Sequence, residues 1–345
     1  MIDNLWRPLA LRLLITSLPP GVDILALKPL TFCLFLFVPS SVRLIFLFPF
    51  TIYLSYNSNV TGNKANSQQI RREWLNIMKR NIGFIGCGKM ASAIISGILA
   101  SKEGENYTVK GSEVTEEVAK QASERLGIEV LHDNKKLVET SDIVFIATKP
   151  NCVVDVLNEI KSALKPETLL VSIAAGVSTQ KIENILDNTR VIRIMPNTPA
   201  LVKLGMFGVC KGSKATDEDL TLIEGLLTSL GKCITVEESQ MDIVTAISGS
   251  GPAFFYQVIE DMARAGEKLG LDYEKSLTLA TQTALGSAQM IFNRGETPVQ
   301  TLIDNVATKG GCTFVGICEM KEGHSDKLFY DVIDKTTQKA NALGK

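Results

Sequence analysis

A glycine-rich turn between an apolar strand and an apolar helix constrains this chain more than any other feature. Residues 81–94 read Asn-Ile-Gly-Phe-Ile-Gly-Cys-Gly-Lys-Met-Ala-Ser-Ala-Ile. Gly86 permits a tight turn, Gly88 lets the backbone approach a phosphate, and Ala91 lets the helix pack closely on the strand. The N-terminus of the helix then faces an anion. The pattern predicts a site for the pyrophosphate of NAD or NADP, with a purely structural turn as the alternative.

Alternating strand and helix patterns follow this turn and predict a parallel, doubly wound α/β sheet of the Rossmann type. A further unit begins at Thr216, a helix N-cap candidate followed by three acidic residues, and no strand pattern follows Gln240. Apolar periodicity places strands at 81–85, 107–111, 128–130, 143–147, 168–172, 190–195 and 232–236, and helices at 89–101, 116–126, 151–164 and 179–186.

The carboxyl ends of the predicted strands supply further residues to the dinucleotide site, because ligands of parallel sheets lie beyond these ends. Lys149 follows the fourth strand, and Ala174 and Ala175 follow the fifth. We therefore expect the cofactor to contact Ile85, Gly86, Cys87, Gly88, Lys89, Met90, Ser112, Glu113, Asn134, Ala147, Thr148, Lys149, Ala174 and Ala175.

The choice between NADH and NADPH depends on the residues after the second strand. Glu113 lies 25 residues beyond Gly88, near the place where an acid binds the ribose hydroxyls and repels a 2′-phosphate. This favours NADH. Side chains able to accept a phosphate lie nearby and leave NADPH open: Ser112, Thr115, Asn134 and Lys135.

The C-terminal third is predicted to be helical, with unusually broad apolar faces. Two stripes at helical spacing are Phe254, Val258, Met262, Gly266 and Leu269, widened by Phe255, Ile259 and Ala263, and then Leu277, Thr281, Ala284, Ala288 and Ile291. Faces of this width usually bury against a partner. We predict a helical domain that pairs with a second copy of itself, with packing inside one chain as the alternative.

Composition excludes several classes of function. The 345 residues suffice for two domains, and the net charge of −1 gives no sign of nucleic-acid binding, so a small-molecule substrate is expected. Seven scattered cysteines without a Cys-x-x-Cys pair are typical of reduced thiols in a cytoplasmic protein. Two distant histidines, His132 and His324, argue against a metal site or a histidine-based triad.

The first 77 residues differ in composition from the rest. A phenylalanine- and leucine-rich stretch at 31–54 is interrupted by Pro39, Arg43 and Pro49. A membrane anchor is one interpretation, although the pieces are shorter than the roughly 20 apolar residues of a span. A targeting segment is another, although the run lies late for a signal peptide. We favour an upstream mis-assigned start, because Met78 directly precedes the first strand.

From residue 78 to the C-terminus the chain resembles the pyrroline-5-carboxylate reductases. Six motifs carry the resemblance in order: Gly86-Cys-Gly-Lys-Met-Ala91, Ala147-Thr-Lys-Pro150, Ala174-Ala-Gly-Val177, Met195-Pro-Asn-Thr-Pro199, Ser248-Gly-Ser-Gly-Pro-Ala253 and Asp304-Asn-Val-Ala-Thr-Lys-Gly-Gly-Cys-Thr313. The resemblance implies a Rossmann domain followed by an all-helical dimerisation domain, and dimers that assemble further. The expected division is an N-terminal extension at 1–77, a dinucleotide-binding domain at 78–239, and a helical dimerisation and substrate domain at 240–345.

The resemblance also implies an active site between the nicotinamide and helices of the C-terminal domain, with a contribution from the partner subunit. The bare N–H groups of Gly310, Gly311, Cys312 and Thr313 precede a predicted helix at 314–321 and suit a carboxylate. By resemblance this loop holds the substrate, with the Thr313 hydroxyl near the ring nitrogen. The alternative interpretations are purely structural: Gly310 and Gly311 form a turn that connects two helices, and Thr313 is a helix N-cap. Where the commonest family form has Ser-Pro, this chain has Thr308-Lys309.

Two more residues match family positions near the substrate and nicotinamide, namely Glu296 and Asn305. A solvated loop acid and a helix-end hydrogen-bonding residue are the alternatives. Asn197, between two prolines, fixes a turn or touches the nicotinamide side.

The expected reaction is the NADPH- or NADH-dependent reduction of 1-pyrroline-5-carboxylate to L-proline, the last step of proline biosynthesis. A 3-hydroxyacid dehydrogenase needs a lysine general acid on a C-terminal helix, and the predicted helix at 251–269 has only Lys268 at its end. A catalytically silent nucleotide sensor would not need the intact glycines and Thr313. A membrane-tethered enzyme requires that residues 1–77 be native.

Overall fold

The structure is a computed structural model that describes residues 79–344, together with the backbone of three short strands nearer the N-terminus. These strands are β1 (Asp23–Ala26), β2 (Cys33–Val38) and β3 (Ser41–Phe46), which form an antiparallel sheet in the order β1-β2-β3. The interpretations of the first 77 residues otherwise lie outside the described residues. No helix within the described part of the chain has both the length and the apolar character needed to cross a bilayer.

An eight-stranded sheet forms the centre of the described residues 79–344. Its strands are β4 (Arg80–Ile85), β5 (Tyr107–Ser112), β6 (Glu129–Leu131), β7 (Ile143–Ile146), β8 (Leu169–Ser172), β9 (Arg190–Met195), β10 (Gly205–Lys211) and β11 (Gly231–Thr235). They lie in the order β11-β10-β9-β8-β7-β4-β5-β6, and the strands from β4 to β9 pair in parallel. The order reverses at β4, so the glycine turn after β4 lies at the switch point where such sheets bind ligands.

Strand β10 is absent from the sequence-based prediction and is a correction to it. It runs antiparallel to β9, with Gly208 opposite Met195, and β11 then pairs with it in parallel. The connection from β9 holds only a short 3-10 turn, Thr198–Val202. Because a parallel return needs a crossover of a dozen or more residues, this short connection forces an antiparallel pair. The sheet is therefore mainly rather than wholly parallel.

Helices cover both faces of the sheet, as predicted, although the short helix at 134–140 was not predicted. They are α1 (Lys89–Ala100), α2 (Glu116–Leu126), α3 (Asn134–Thr140), α4 (Val153–Ile160), α5 (Thr179–Glu183) and α6 (Asp217–Leu227). Neighbouring residues of one strand point to opposite faces. Accordingly, Phe84 and Phe145 stack at 4.4 Å in the core that includes α1 and α6, whereas Ile85 and Val144 belong to the core that includes α4 and α5.

The residues after Gln240 are helical, and no strand follows it in the described part, as predicted. The elements are α7 (Met241–Val244), which continues into a π-helical segment (Thr245–Gly249), then α8 (Gly251–Lys268), α9 (Tyr273–Phe292), α10 (Val299–Val306), α11 (Cys312–Glu322) and α12 (Ser325–Gly344). Helices α8 and α9 pack together, and the small residues Ala263 and Ala280 are buried.

The apolar faces of α8 and α9 remain largely exposed in the single chain. Phe255 is 66% exposed, Met262 53% and Leu269 89%, and Met290 and Phe292 at the end of α9 are each 63% exposed. Scattered exposed apolar residues are ordinary, but a continuous face of large ones marks an interaction surface. Packing within one chain accounts for the contact between the two helices and leaves this face uncovered.

Candidate active site

The turn after β4 has the geometry of a phosphate-binding turn. Gly86 has φ +91, and a Cβ there would lie 2.9 Å from the carbonyl oxygen of Ala147, so only glycine fits. Gly88 caps α1 without a side chain, and no protein atom lies within 4 Å of the place where its Cβ would stand. Ala91 is 1% exposed and seats the helix on the sheet. The free space beside Gly88 and the uncapped helix N-terminus fit a pyrophosphate.

The carboxyl end of β7 contacts the same turn, and the carboxyl end of β8 lies beside that of β7. The N–H of Ala147 donates to the carbonyl of Ile85 at 2.9 Å, which places Ala147 and Thr148 beside Gly86. The Thr148 hydroxyl is buried and has no hydrogen-bond partner, while Lys149 is exposed. Ala174 is buried after β8. A buried hydroxyl without a partner is costly, so Thr148 fits a ligand group that binds at this edge.

Two of the residues predicted to contact the cofactor near the end of β5 bind each other, whereas a third, Glu113, faces the glycine turn. The Ser112 side chain is fully buried and its hydroxyl donates to Oδ1 of Asn134 at 2.7 Å. The Asn134 amide in turn donates to Glu159 at 2.9 Å. These two predicted contact residues therefore hold β5 and α3 together. Glu113 instead turns toward the glycine turn, where its Oε1 accepts the N–H of Cys87 at 2.6 Å.

The Cys87 thiol lies under the turn and is not a nucleophile. Burial, reinforced by the nearby Glu113 carboxylate, raises its pKa to about 12. The thiol is therefore neutral at physiological pH. All six cysteines among the described residues are free, and no cluster of three or more metal-ligating side chains occurs there.

The late glycine loop opens α11. Gly310 has φ +81, Gly311 is the N-cap, and the helix begins at Cys312, two residues earlier than predicted. Thr313 is thus the second helical residue and not the N-cap, which corrects the alternative that the sequence left open. No side chain caps this helix, so the N–H groups of its first turn remain for an anion.

The other predicted substrate residues lie on exposed segments of the same region. Glu296 lies between α9 and α10, and Asn305 lies in the last turn of α10; both are exposed. Neither α10 nor α11 contains a buried residue in the single chain. The late loop and the two helices that flank it are therefore largely open to solvent in the single chain.

A π-helical segment links the sheet edge to the helical region. The Asn197 side chain donates to the carbonyl of Ser248 at 3.1 Å and accepts the N–H of Met206 at 2.9 Å, so its structural role is clear. The Ser248 hydroxyl is buried without a partner. Sequence reasoning gave Ser248 no role, although its motif was part of the family resemblance. Because π segments are common at functional sites, we add Ser248 to the candidate residues.

A buried charge cluster fixes the junction between the sheet and α7. The Arg193 side chain is 4% exposed and pairs with Glu238, while Asp242 lies 4.0 Å away. Glu238 also accepts the N–H and hydroxyl of Thr179 at 3.0 and 2.7 Å. Burial alone would raise the pKa of Glu238, but the Thr179 hydrogen bonds and the Arg193 charge outweigh it and lower the pKa.

Comparisons with known proteins match both parts of the described structure. Residues 238–343 match the family described as pyrroline-5-carboxylate reductase dimerisation, and residues 81–176 match NADP oxidoreductase, coenzyme F420-dependent. The pyrroline-5-carboxylate reductase of Methanosarcina acetivorans is 39% identical over 267 residues, covering 77% of this chain and 98% of the relative. The Glycine max enzyme is 39% identical over 242 residues, covering 70% and 88%.

Solved structures agree with these matches. The pyrroline-5-carboxylate reductase of Coxiella burnetii is 32% identical with a TM-score of 0.71, covering 77% of this chain and 99% of the other. The Plasmodium falciparum pyrroline carboxylate reductase, solved with NADP bound, is 31% identical with a TM-score of 0.69, covering 78% and 99%. The chain therefore belongs to the pyrroline-5-carboxylate reductase family and is an NAD(P)H-dependent oxidoreductase.

Proposed function

We propose that this chain reduces the cyclic imine 1-pyrroline-5-carboxylate to L-proline, the last step of proline biosynthesis. The observation that carries the proposal is the late glycine loop, which presents an uncapped helix N-terminus and an exposed threonine on a chain of this family. A carboxylate is the anion that such a site holds well. The substrate offers one on the carbon next to its ring nitrogen.

The glycine turn after β4 supplies the dinucleotide half of the site. Residues 85–90 hold the pyrophosphate, and the edge formed by Ala147, Thr148, Ala174 and Ala175 lines the nicotinamide side. The bound dinucleotide, NADPH or NADH, supplies the hydride. A protonated cyclic imine is already a good hydride acceptor, so the protein's tasks are positioning and exclusion of water.

The late loop supplies the substrate half. The N–H groups of Gly310, Cys312 and Thr313 bind the carboxylate, and the Thr313 hydroxyl lies near the ring nitrogen. The Gly311 N–H, which the sequence predicted to be bare, instead donates to the Thr308 carbonyl at 2.9 Å within the loop. Glu296 and Asn305 lie near the ring and the nicotinamide. Support comes from the exposure of these residues on α10 and α11 and from the resemblance of their motif to the family's. The rival 3-hydroxyacid dehydrogenase chemistry gains no support, because Lys268 is the last residue of α8.

The family's dimerisation domain makes this chain a homo-oligomer with a small-molecule substrate. We place the dimer contact on the exposed faces of α8 and α9, and expect dimers to assemble further. The partner's helices then cover the open half-sites and complete each active site. The six free cysteines of the described part fit a cytoplasmic setting.

An assay of the full chain tests this function. Purified protein, NADPH or NADH and 1-pyrroline-5-carboxylate are mixed, dinucleotide oxidation is followed by absorbance, and proline is identified by mass spectrometry. Oxidation that requires the imine and produces proline in equal amount is expected. Absence of proline with either dinucleotide refutes the proposal.

A further inference from the structure

Glu113, which follows β5, is held against the glycine turn by its side chain and against the end of β6 by its backbone. Its side chain accepts the N–H of Cys87 at 2.6 Å, inside the Gly86 to Gly88 turn. Its backbone N–H donates to the carbonyl of Leu131 at 3.0 Å, and its carbonyl lies 3.1 Å from Nδ1 of His132. The Glu113 carboxylate is therefore held at the carboxyl end of β5, where Rossmann sheets bind the ribose of the adenosine.

Three of the four side chains that could accept a 2′-phosphate here already make structural hydrogen bonds, and the fourth, Lys135, is exposed. The buried Ser112 hydroxyl is bonded to Asn134, and the Asn134 amide to Glu159. The Thr115 hydroxyl accepts the N–H of Val118 at 3.3 Å and caps α2. The Ser112 hydroxyl would have to give up its bond to Asn134 to donate to a phosphate, whereas the Thr115 hydroxyl and the Asn134 amide each keep one hydrogen free to donate.

Of the cations in these loops, Arg125 already supports the glycine turn. Arg125 donates from Nη2 to the carbonyl of Cys87 at 2.7 Å and lies 3.3 Å from the Ser92 hydroxyl. Arg125 therefore binds the carbonyl of Cys87, whereas Glu113 binds the N–H of the same residue. Lys89 and Lys135 are exposed residues in the first turns of α1 and α3.

We infer that Glu113 makes this site selective for NAD(H) over NADP(H). The inference rests on the dinucleotide-binding role proposed above. A carboxylate accepts hydrogen bonds from the ribose hydroxyls of NAD(H), whereas it repels the doubly charged 2′-phosphate of NADP(H). The bond to Cys87 keeps the charge in place rather than letting it swing into solvent.

Nucleotide binding without turnover tests the inference. Dissociation constants of NAD⁺ and NADP⁺ are measured by isothermal titration calorimetry on the full chain and on Glu113→Gln, which keeps the shape and removes the charge. The matched control is Glu116→Gln, an exposed acid in the first turn of α2. Thermal melting confirms that each variant folds.

We expect the unaltered chain to bind NAD⁺ more tightly than NADP⁺. Glu113→Gln should reduce this preference by about tenfold or more, and Glu116→Gln should leave it unchanged. Equal or tighter binding of NADP⁺ by the unaltered chain, an unchanged ratio in Glu113→Gln, or no binding of either nucleotide overturns the inference. Selective NAD⁺ binding without imine reduction would retain it and refute the proposed reaction instead.

Discussion

Thr313 offers the most direct test of the proposed substrate site. It lies in the first turn of α11, exposed in the single chain, where its hydroxyl can reach a bound ring without disturbing any packing. We expect Thr313→Ala to lower kcat/KM by about 1–3 kcal/mol of transition-state stabilisation, the cost of a hydrogen bond to a charged partner. Thr313→Ser should retain most of the activity, and both variants should melt like the unaltered protein. Unchanged kinetics in Thr313→Ala would remove the residue from the mechanism.

Glu238 makes acid stability a test of the buried charge cluster. Its pKa is lowered in the folded protein, so its contribution is present above the unfolded value of about 4.3 and is lost as the pH falls through the folded value. Glu238→Gln should therefore be less stable by about 3 kcal/mol at pH 7, because it leaves the buried Arg193 without its main partner. Its stability should also fall less steeply on acidification. Urea unfolding at neutral and acidic pH measures both effects.

The matched control for this prediction is Glu267→Gln, which removes an exposed ion pair with Arg264. Exposed pairs contribute about 0–1 kcal/mol, so this variant should follow the unaltered protein at both pH values. A Glu238→Gln protein as stable as the control at pH 7 would show that the cluster contributes nothing to folding.

Single residues also show what the sequence can and cannot predict. The turn at Gly86 was predictable because it depends on local backbone geometry, which the spacing encodes. The hydrogen bond from the Cys87 N–H to Glu113 was not predictable, because it links the ends of β4 and β5 and depends on the rotamer of the Glu113 side chain. The same holds for Ser112 and Asn134, whose side chains bind each other instead of standing open.

At the scale of elements, two glycines in the turn between β4 and α1 allow the effects of a substitution on folding and on dinucleotide binding to be measured separately. At Gly86 the backbone φ is +91, and a methyl group would lie 2.9 Å from the Ala147 carbonyl oxygen. At Gly88 a methyl group would have no heavy atom within 4 Å apart from those of the adjacent residues. We expect Gly86→Ala to lower the melting temperature, with a cost of about 1–3 kcal/mol for the strained backbone. Gly88→Ala should melt normally and bind dinucleotide more weakly, since its methyl group occupies the ligand's space. Scanning calorimetry and nucleotide titration distinguish the two; normal binding by Gly88→Ala would contradict the proposed site.

Strands and helices were predictable where one hydrophobic period dominates the segment. The prediction failed where tertiary packing overrides the local composition. Strands β4, β7 and β8 are apolar runs and were found. Strand β10 was missed because it follows two prolines and contains Gly205 and Gly208, which resemble loop punctuation. In the structure a side chain at Gly208 would collide with Val244, so the glycine lets α7 approach the sheet. That reason exists only once both elements are in place.

At the scale of the whole molecule, the order of a dinucleotide-binding sheet and a helical region was predictable, because strand and helix patterns alternate up to Gln240 and no strand pattern follows it. Hydrophobic periodicity could not predict how a partner subunit completes the proposed active site. The wide apolar faces of α8 and α9 indicated a partner, but which half-site the partner covers depends on the assembled helices. The family resemblance supplied that expectation, and the absence of buried residues in α10 and α11 of the single chain agrees with it.

The last prediction concerns assembly itself. Phe255 is 66% exposed on α8 in the single chain and belongs to the proposed contact face. A twofold contact uses the residue twice, so Phe255→Glu should cost about 4 kcal/mol or more and weaken the dimer by about a thousandfold. Leu99→Glu, at a 44% exposed position near the end of α1, is the matched control and should assemble normally. Sedimentation and imine reduction are measured together: if dissociated Phe255→Glu keeps full kcat, the active site does not need the partner subunit.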